Sequence, residues 1–227
     1  PGAEVTITNV DTSAARTVIS SDDGTYSFTN LPVGRYTLQV SMGGFATYLQ
    51  SGIVLQVGSS PQVNVVLRIG NIAETVEVQA DAAMVETQST GVGQVIDQVR
   101  VVELPLNGRN VAQMINLSGA AVTSTTGGLK NTLNHPDAVT VSVAGGAGNA
   151  TNFLYDGGTH IDTRTNLGLP LPFPDALQEF KVETSSLPAN YGSQPGGAVN
   201  VVTKSGTNEL HGNLFWFVQN GAMNARN

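Results

Sequence analysis

The stretch from Phe153 to Gly212 constrains the fold most, because it strings short apolar runs between glycine pairs. It reads Phe153-Leu-Tyr-Asp-Gly-Gly158, Asp175-Ala-Leu-Gln-Glu-Phe-Lys-Val-Glu183, Tyr191-Gly and Gly196-Gly-Ala-Val-Asn-Val-Val-Thr-Lys-Ser-Gly-Thr207, and closes at His211-Gly212. Runs this short, rich in valine and bounded by glycine, read as strands rather than helices. Gly157-Gly158 and Gly196-Gly197 offer backbone conformations that residues with a Cβ reach only under strain. Asp175 is placed to cap a helical turn that leads into a strand.

The first 70 residues alternate with the period of strands. The runs are 4–9, 16–19, 25–28, 36–40, 53–57 and 62–67, with turns at Asp22-Asp-Gly24, Leu31-Pro-Val-Gly34, Gly43-Gly44 and Gly58-Ser-Ser-Pro61. Turn signals about every ten residues predict a small antiparallel β-sandwich of transthyretin or immunoglobulin type. Residues 71–82 then hold one isolated alternating run, Ala73-Glu-Thr-Val-Glu-Val-Gln-Ala80.

Beyond Val85 the pattern becomes mixed. Thr90–Asp97 predicts a strand and Val99–Leu104 a short helix. Leu104-Pro-Leu-Asn-Gly-Arg-Asn110 carries a turn at Asn107-Gly108, and Asn110 is placed to cap the amphipathic run 111–117. Residues 118–137 read as a loop, 139–143 and 152–156 as strands, and 159–174 as a polar, proline-rich loop. The last run, Glu209–Gln219, has about the length of a transmembrane β-strand, ~9–11 residues. Leu210, Leu214, Trp216 and Val218 share one of its faces, with Phe215 and Phe217 on the other.

Two resemblances rest on these motifs. Asp23 to Phe45, in the pattern Asp-Gly-x-Tyr-x-Phe-x-x-Leu-Pro-x-Gly-x-Tyr-x-Leu-x-Val-x-x-x-Gly-Phe, is similar to the carboxypeptidase-regulatory-like domain. The ordered blocks Leu104–Arg109, Leu154–Gly157, Asp175–Val182, Asn190–Gly192, Gly196–Asn200 and Thr203–Gly212 resemble the plug of Oar-like TonB-dependent outer-membrane receptors. The resemblance implies four pieces: a sandwich over 1–70, a linker over 71–82, a mixed α/β plug over 83–206, and the first barrel-type strand over 207–227. It also implies that Glu74, Thr75, Val76, Glu77, Val78, Gln79 and Ala80 form a TonB box, taken up as an added strand by a TonB-like periplasmic energy-coupling protein. The same run reads equally well as the first plug strand. The family's Gly-x-Val-x-Asp-x-x-Gly strand before Pro1-Gly2-Ala3 is missing, so the sandwich is expected to have an open edge. The start at Pro1, without methionine, reads as a processed chain or a fragment.

Composition narrows the chemistry. The net charge is −7, and ten Lys and Arg are scattered over the chain's 227 residues. That argues against nucleic acid, which needs a clustered basic face. The absence of cysteine excludes disulfides and thiolate chemistry. His135, His160 and His211 lack metal-site spacing, and Asp22-Asp23-Gly24 lacks the alternating ligands of a calcium loop. Lys204-Ser-Gly206 has no hydrolase partners, and Gly145-Gly-Ala-Gly148 has no helix and acid behind it to bind a dinucleotide. No cofactor and no catalytic residue are therefore expected. The resemblance to the plug further implies Arg109 beside Asn107 and Asn110, and Lys204 near Asp156 or Glu179, as buried polar pairs that hold the plug together.

Two functional readings follow. In the first, the chain is the non-catalytic N-terminal and plug portion of an outer-membrane receptor, gating uptake of an unidentified ligand inside its own barrel. In the second, it is an extracellular fibre subunit. Leu210, Leu214, Phe215, Trp216, Phe217 and Val218 would then insert into the open sandwich of a neighbour, giving a head-to-tail homopolymer.

Overall fold

The computed structural model describes residues 1–71, 73–79, 91–106, 109–123, 139–185, 187, 191, 194–216, 218 and 220–221. The protein is mainly β, built on two five-stranded sheets. The first has the order β2-β1-β3-β4-β5, from β1 (Glu4–Asn9), β2 (Ala15–Ile19), β3 (Gly34–Ser41), β4 (Thr47–Leu55) and β5 (Thr75–Gln79). Its first four strands pair antiparallel, as expected from the tight turns. One face buries Val5, Ile7, Tyr36, Leu38, Val40 and Ile53, the inward set that period-2 alternation dictates.

Across that face lie two segments expected as strands. Tyr26 and Phe28, and Val63, Val65 and Leu67, pack half-buried on the sheet. Neither segment is a strand, because neither backbone has a ladder partner among the described residues. The link between them is a side chain: the Tyr26 hydroxyl donates to the Val63 carbonyl at 2.7 Å. Alternation records which side is buried, whereas a strand also needs a neighbour.

The second sheet has the order β10-β9-β14-β13-β6, from β6 (Val92–Asp97), β9 (Thr151–Tyr155), β10 (Gly158–Thr159), β13 (Leu177–Ser185) and β14 (Gly197–Thr203). β14 runs parallel to β9 and antiparallel to β13, so Asn200 lies opposite Leu154 on one side and Lys181 on the other. Two separate two-stranded antiparallel sheets accompany it, β7 (Ala121–Thr123) with β8 (Val141–Val143), and β11 (Ile161–Asp162) with β12 (Leu167–Gly168).

The helix α1 (Gln98–Glu103) starts where Asp97 accepts the Arg100 N–H at 3.0 Å. Val111–Ser118 winds as a 3-10 helix, capped as expected by Asn110, whose side chain accepts the Ala112 N–H at 2.9 Å. Val111, Met114 and Ile115 from this helix, with Phe153, Leu177 and Phe180 from the sheet, form the core of the second domain.

Three local expectations differ. The 3-10 turn Pro174–Ala176 carries no side-chain cap, because Asp175 faces Arg109 instead. Gly157 does adopt a left-handed φ of 81°, but Gly196 and Gly197 are needed for closeness rather than dihedral. A Cβ on Gly196 would meet the Ala150 carbonyl at 2.9 Å, and one on Gly197 would meet Val143 Cγ1 at 2.7 Å. Finally, the described residues of 207–221 belong to no sheet. A strand exists through its neighbours, and among the described residues this segment has no ladder partner.

Candidate functional site

The run 74–79 is not isolated. β5 lies parallel to β4 in the register Thr47 to Thr75, Leu49 to Glu77 and Ser51 to Gln79, and Thr47 donates its N–H to the Glu74 carbonyl at 2.8 Å. Its side chains are almost all exposed, so backbone hydrogen bonds hold it rather than burial. Thr75, Glu77 and Gln79 alternate with Val76 and Val78. Ala80 lies outside the described residues. No local signal announced the pairing, because β4 and β5 are separated by some twenty residues of other structure.

β4 leads directly into the contact between the domains. Two residues past its end, Val57 donates its N–H to Glu179 Oε2 on β13 at 2.7 Å, and this bond is buried. Next to it, Gly58 has a φ of 65°, and a Cβ there would come within 3.2 Å of both Lys181 Nζ and the Tyr191 hydroxyl. Lys181 pairs with Glu183 at 2.7 Å, with both side chains largely buried. Burial pushes the Glu179 carboxyl above its ordinary value, against the lowering effects of the Val57 N–H and Lys181. A turn of the first domain therefore plugs into a charged notch of the second.

The expected polar pairs rearrange. Arg109 reaches Asp175, 66 positions away, in a short and mostly buried ion pair. Asp156 turns to β14 and accepts the N–H and the hydroxyl of Thr203, each at 2.8 Å, while the Lys204 N–H goes to the Ala176 carbonyl. Asn107 lies outside the described residues.

A cavity of about 1640 Å3 opens between the first sheet and the segments 25–33 and 56–67. Its apolar floor comes from Val5, Leu38 and Ile53, and its edges reach Asp156 and Lys204 of the second domain. Among the described residues no group of three or more His, Cys, Asp or Glu converges to hold a metal ion. Asp22-Asp23-Gly24 is a turn in which Asp23 accepts from Ser21 and Thr25.

Residues 210, 214, 215, 216 and 218 project outward. Leu210 and Leu214 are fully exposed and Trp216 is 87% exposed. Phe215 is the least exposed of them and packs against Phe173, with ring centroids 5.3 Å apart, and beside the Arg109 guanidinium. Phe217 lies outside the described residues.

Sheet order divides the described residues into a β unit built on the first sheet and, after it, a mixed unit in which helices pack on the second. Residues 1–68 match the family described as the carboxypeptidase regulatory-like domain. Over 217 residues, 95% of its length, the chain is 26% identical to the TonB-dependent transporter Oar of Myxococcus xanthus, of which it spans 20%. Partial structural overlaps occur with two solved proteins. The outer membrane transporter YddB from Escherichia coli has a TM-score of 0.40 and 16% identity, covering 50% of this chain and 17% of that one. The siderophore receptor PirA from Acinetobacter baumannii has a TM-score of 0.41 and 22% identity, covering 54% and 18%.

Proposed function

We propose that the chain is the non-catalytic N-terminal and plug portion of a TonB-dependent outer-membrane receptor, gating uptake of an unidentified ligand. The single observation that carries this reading is the similarity to a TonB-dependent transporter along 95% of the chain. The exposed edge strand β5 supports it, since strand addition by a coupling protein requires an extended segment with backbone groups to offer. In this reading 1–70 is the regulatory-like domain, 71–82 the coupling linker, 83–206 the plug, and 207–227 enters the surrounding barrel. Leu210, Leu214, Trp216 and Val218 then face lipid or barrel neighbours rather than water. The protein sits in the outer membrane of a Gram-negative cell, with β5 on the periplasmic side. The fibre reading gains no support from the relatives.

Deleting 74–80 from the barrel-containing protein tests the assignment. Energised uptake should be abolished while ligand binding at the cell surface persists. Uptake at the unaltered rate would remove residues 74–80 from the coupling role.

A further inference from the structure

The strand assigned to coupling is already part of a sheet, and that changes how a partner meets it. β5 is the last strand of the order β2-β1-β3-β4-β5, so one edge is paired with β4 and the other is open among the described residues. An edge strand presents unpaired N–H and C=O groups at alternate residues, which is a template for one more strand. The open edge is acidic: Glu77 is exposed, Glu74 flanks it, and no cation pairs with either among the described residues. Val76 and Val78 offer the other face of the same strand, Val78 being 37% exposed.

From this geometry we infer that the partner adds to β5 while β5 stays in the first domain's sheet. The occupant is an extended segment of the periplasmic coupling protein, with basic residues opposite Glu77 and apolar ones beside Val76 and Val78, forming a sixth strand. The first domain is then a handle. A pull along the added strand loads the β5–β4 ladder in shear, with all five register pairs sharing the load. From β4 the load passes to Val57 and across to Glu179 on β13, in the sheet of the second domain. This inference rests on the reading of 74–80 as the coupling segment.

The test exploits the absence of native cysteine. Leu49 and Glu77 are register partners on adjacent strands. Strands ~4.8 Å apart place such a pair within reach of a disulfide. In the 227-residue protein carrying Leu49→Cys and Glu77→Cys, mild oxidation should form the crosslink, and failure to form it would overturn the pairing. The probe is the purified periplasmic domain of a TonB-type coupling protein, and the reduced variant is the control, so that the loss of Glu77 cancels. Oxidised and reduced forms should bind the probe with affinities within about threefold of each other. Binding by the reduced form with loss of tenfold or more on oxidation would show that β5 must leave the sheet, overturning this inference while leaving the coupling segment in place. If wild type binds and the reduced variant does not, Ser51→Cys with Gln79→Cys, the next register pair in the same phase, carries the same comparison. No binding by wild type would overturn the coupling reading and this inference together.

Discussion

Val57 and Glu179, 122 positions apart, meet through one buried hydrogen bond of 2.7 Å from backbone N–H to carboxylate. The bond joins the turn just past β4 to β13, an interior strand of the second sheet. It makes a titratable group part of the domain contact, with Lys181 and Asp97 as its charged neighbours.

The first prediction concerns that group. The folded pKa of Glu179 lies above its ordinary value of 4.5 because burial disfavours the charge. For an acid so shifted, the folded state binds more protons than the unfolded one in the window above 4.5, so stability falls as the pH rises through it. Glu179→Gln keeps an oxygen acceptor for the Val57 N–H and removes the buried charge. The variant should melt at or above the wild-type temperature at neutral pH, and the difference should shrink as the pH is lowered toward 4.5. A Gln variant that melts well below wild type at neutral pH would mean that the charge itself holds the contact.

Asp23 titrates in the opposite sense. It is fully exposed, yet hydrogen bonds from the Ser21 hydroxyl first, then from the Thr25 backbone and hydroxyl, lower its pKa from 3.8 to about 2. The turn contribution is therefore present above 3.8 and lost as the pH falls through about 2. An NMR titration should place the Asp23 carboxyl near 2, and Ser21→Ala should move it back toward 3.8.

Much of the architecture is legible in the residues. Alternation and turn chemistry locate β1, β2, β3, β9, β13 and β14, and Asn110 announces the helix it caps. Of β4, expected over 53–57, only residues 53–55 lie in the strand, which runs from Thr47 to Leu55. What escaped is non-local. Val63, Val65 and Leu67 alternate as cleanly as Val5 and Ile7, but only the latter pair lies between two neighbouring strands. The parallel partnership of β5 with β4 is invisible because parallel pairing leaves no turn signature in the sequence. Asp175 has the composition of a cap, and its choice of Arg109 depends on a fold that brings two distant loops together.

That choice can be measured. The Arg109 and Asp175 side chains are mostly buried, so removing one strands the other with a poorly solvated charge. A double-mutant cycle with Arg109→Ala and Asp175→Ala, read by urea denaturation, should give a coupling of roughly 1–3 kcal/mol. A coupling near zero would reduce the pair to a surface contact.

Gly197 and Gly206 separate packing from flexibility. A Cβ at Gly197 would fall 2.7 Å from Val143 Cγ1, whereas Gly206 has no atom within 4 Å of the same position. Gly197→Ala should destabilise the second domain by about 1–3 kcal/mol through overpacking, while Gly206→Ala should stay near wild type. Equal effects at the two sites would mean that the β8 and β14 backbones separate without cost.

Trp216 reports on the segment that sequence alone reads as a strand. It is the chain's one tryptophan and is 87% exposed, so its fluorescence in the isolated 227-residue protein follows this segment alone. The emission should be that of a water-exposed indole and should be quenched readily by iodide. Placing Leu214, Trp216 and Val218 in a barrel wall gives each an apolar neighbour, so a barrel-containing form should shift the emission to shorter wavelength and shield it from iodide. A blue shift that instead grows with the concentration of the isolated chain would place the indole in a neighbouring molecule, because intermolecular insertion follows mass action whereas folding into its own barrel does not.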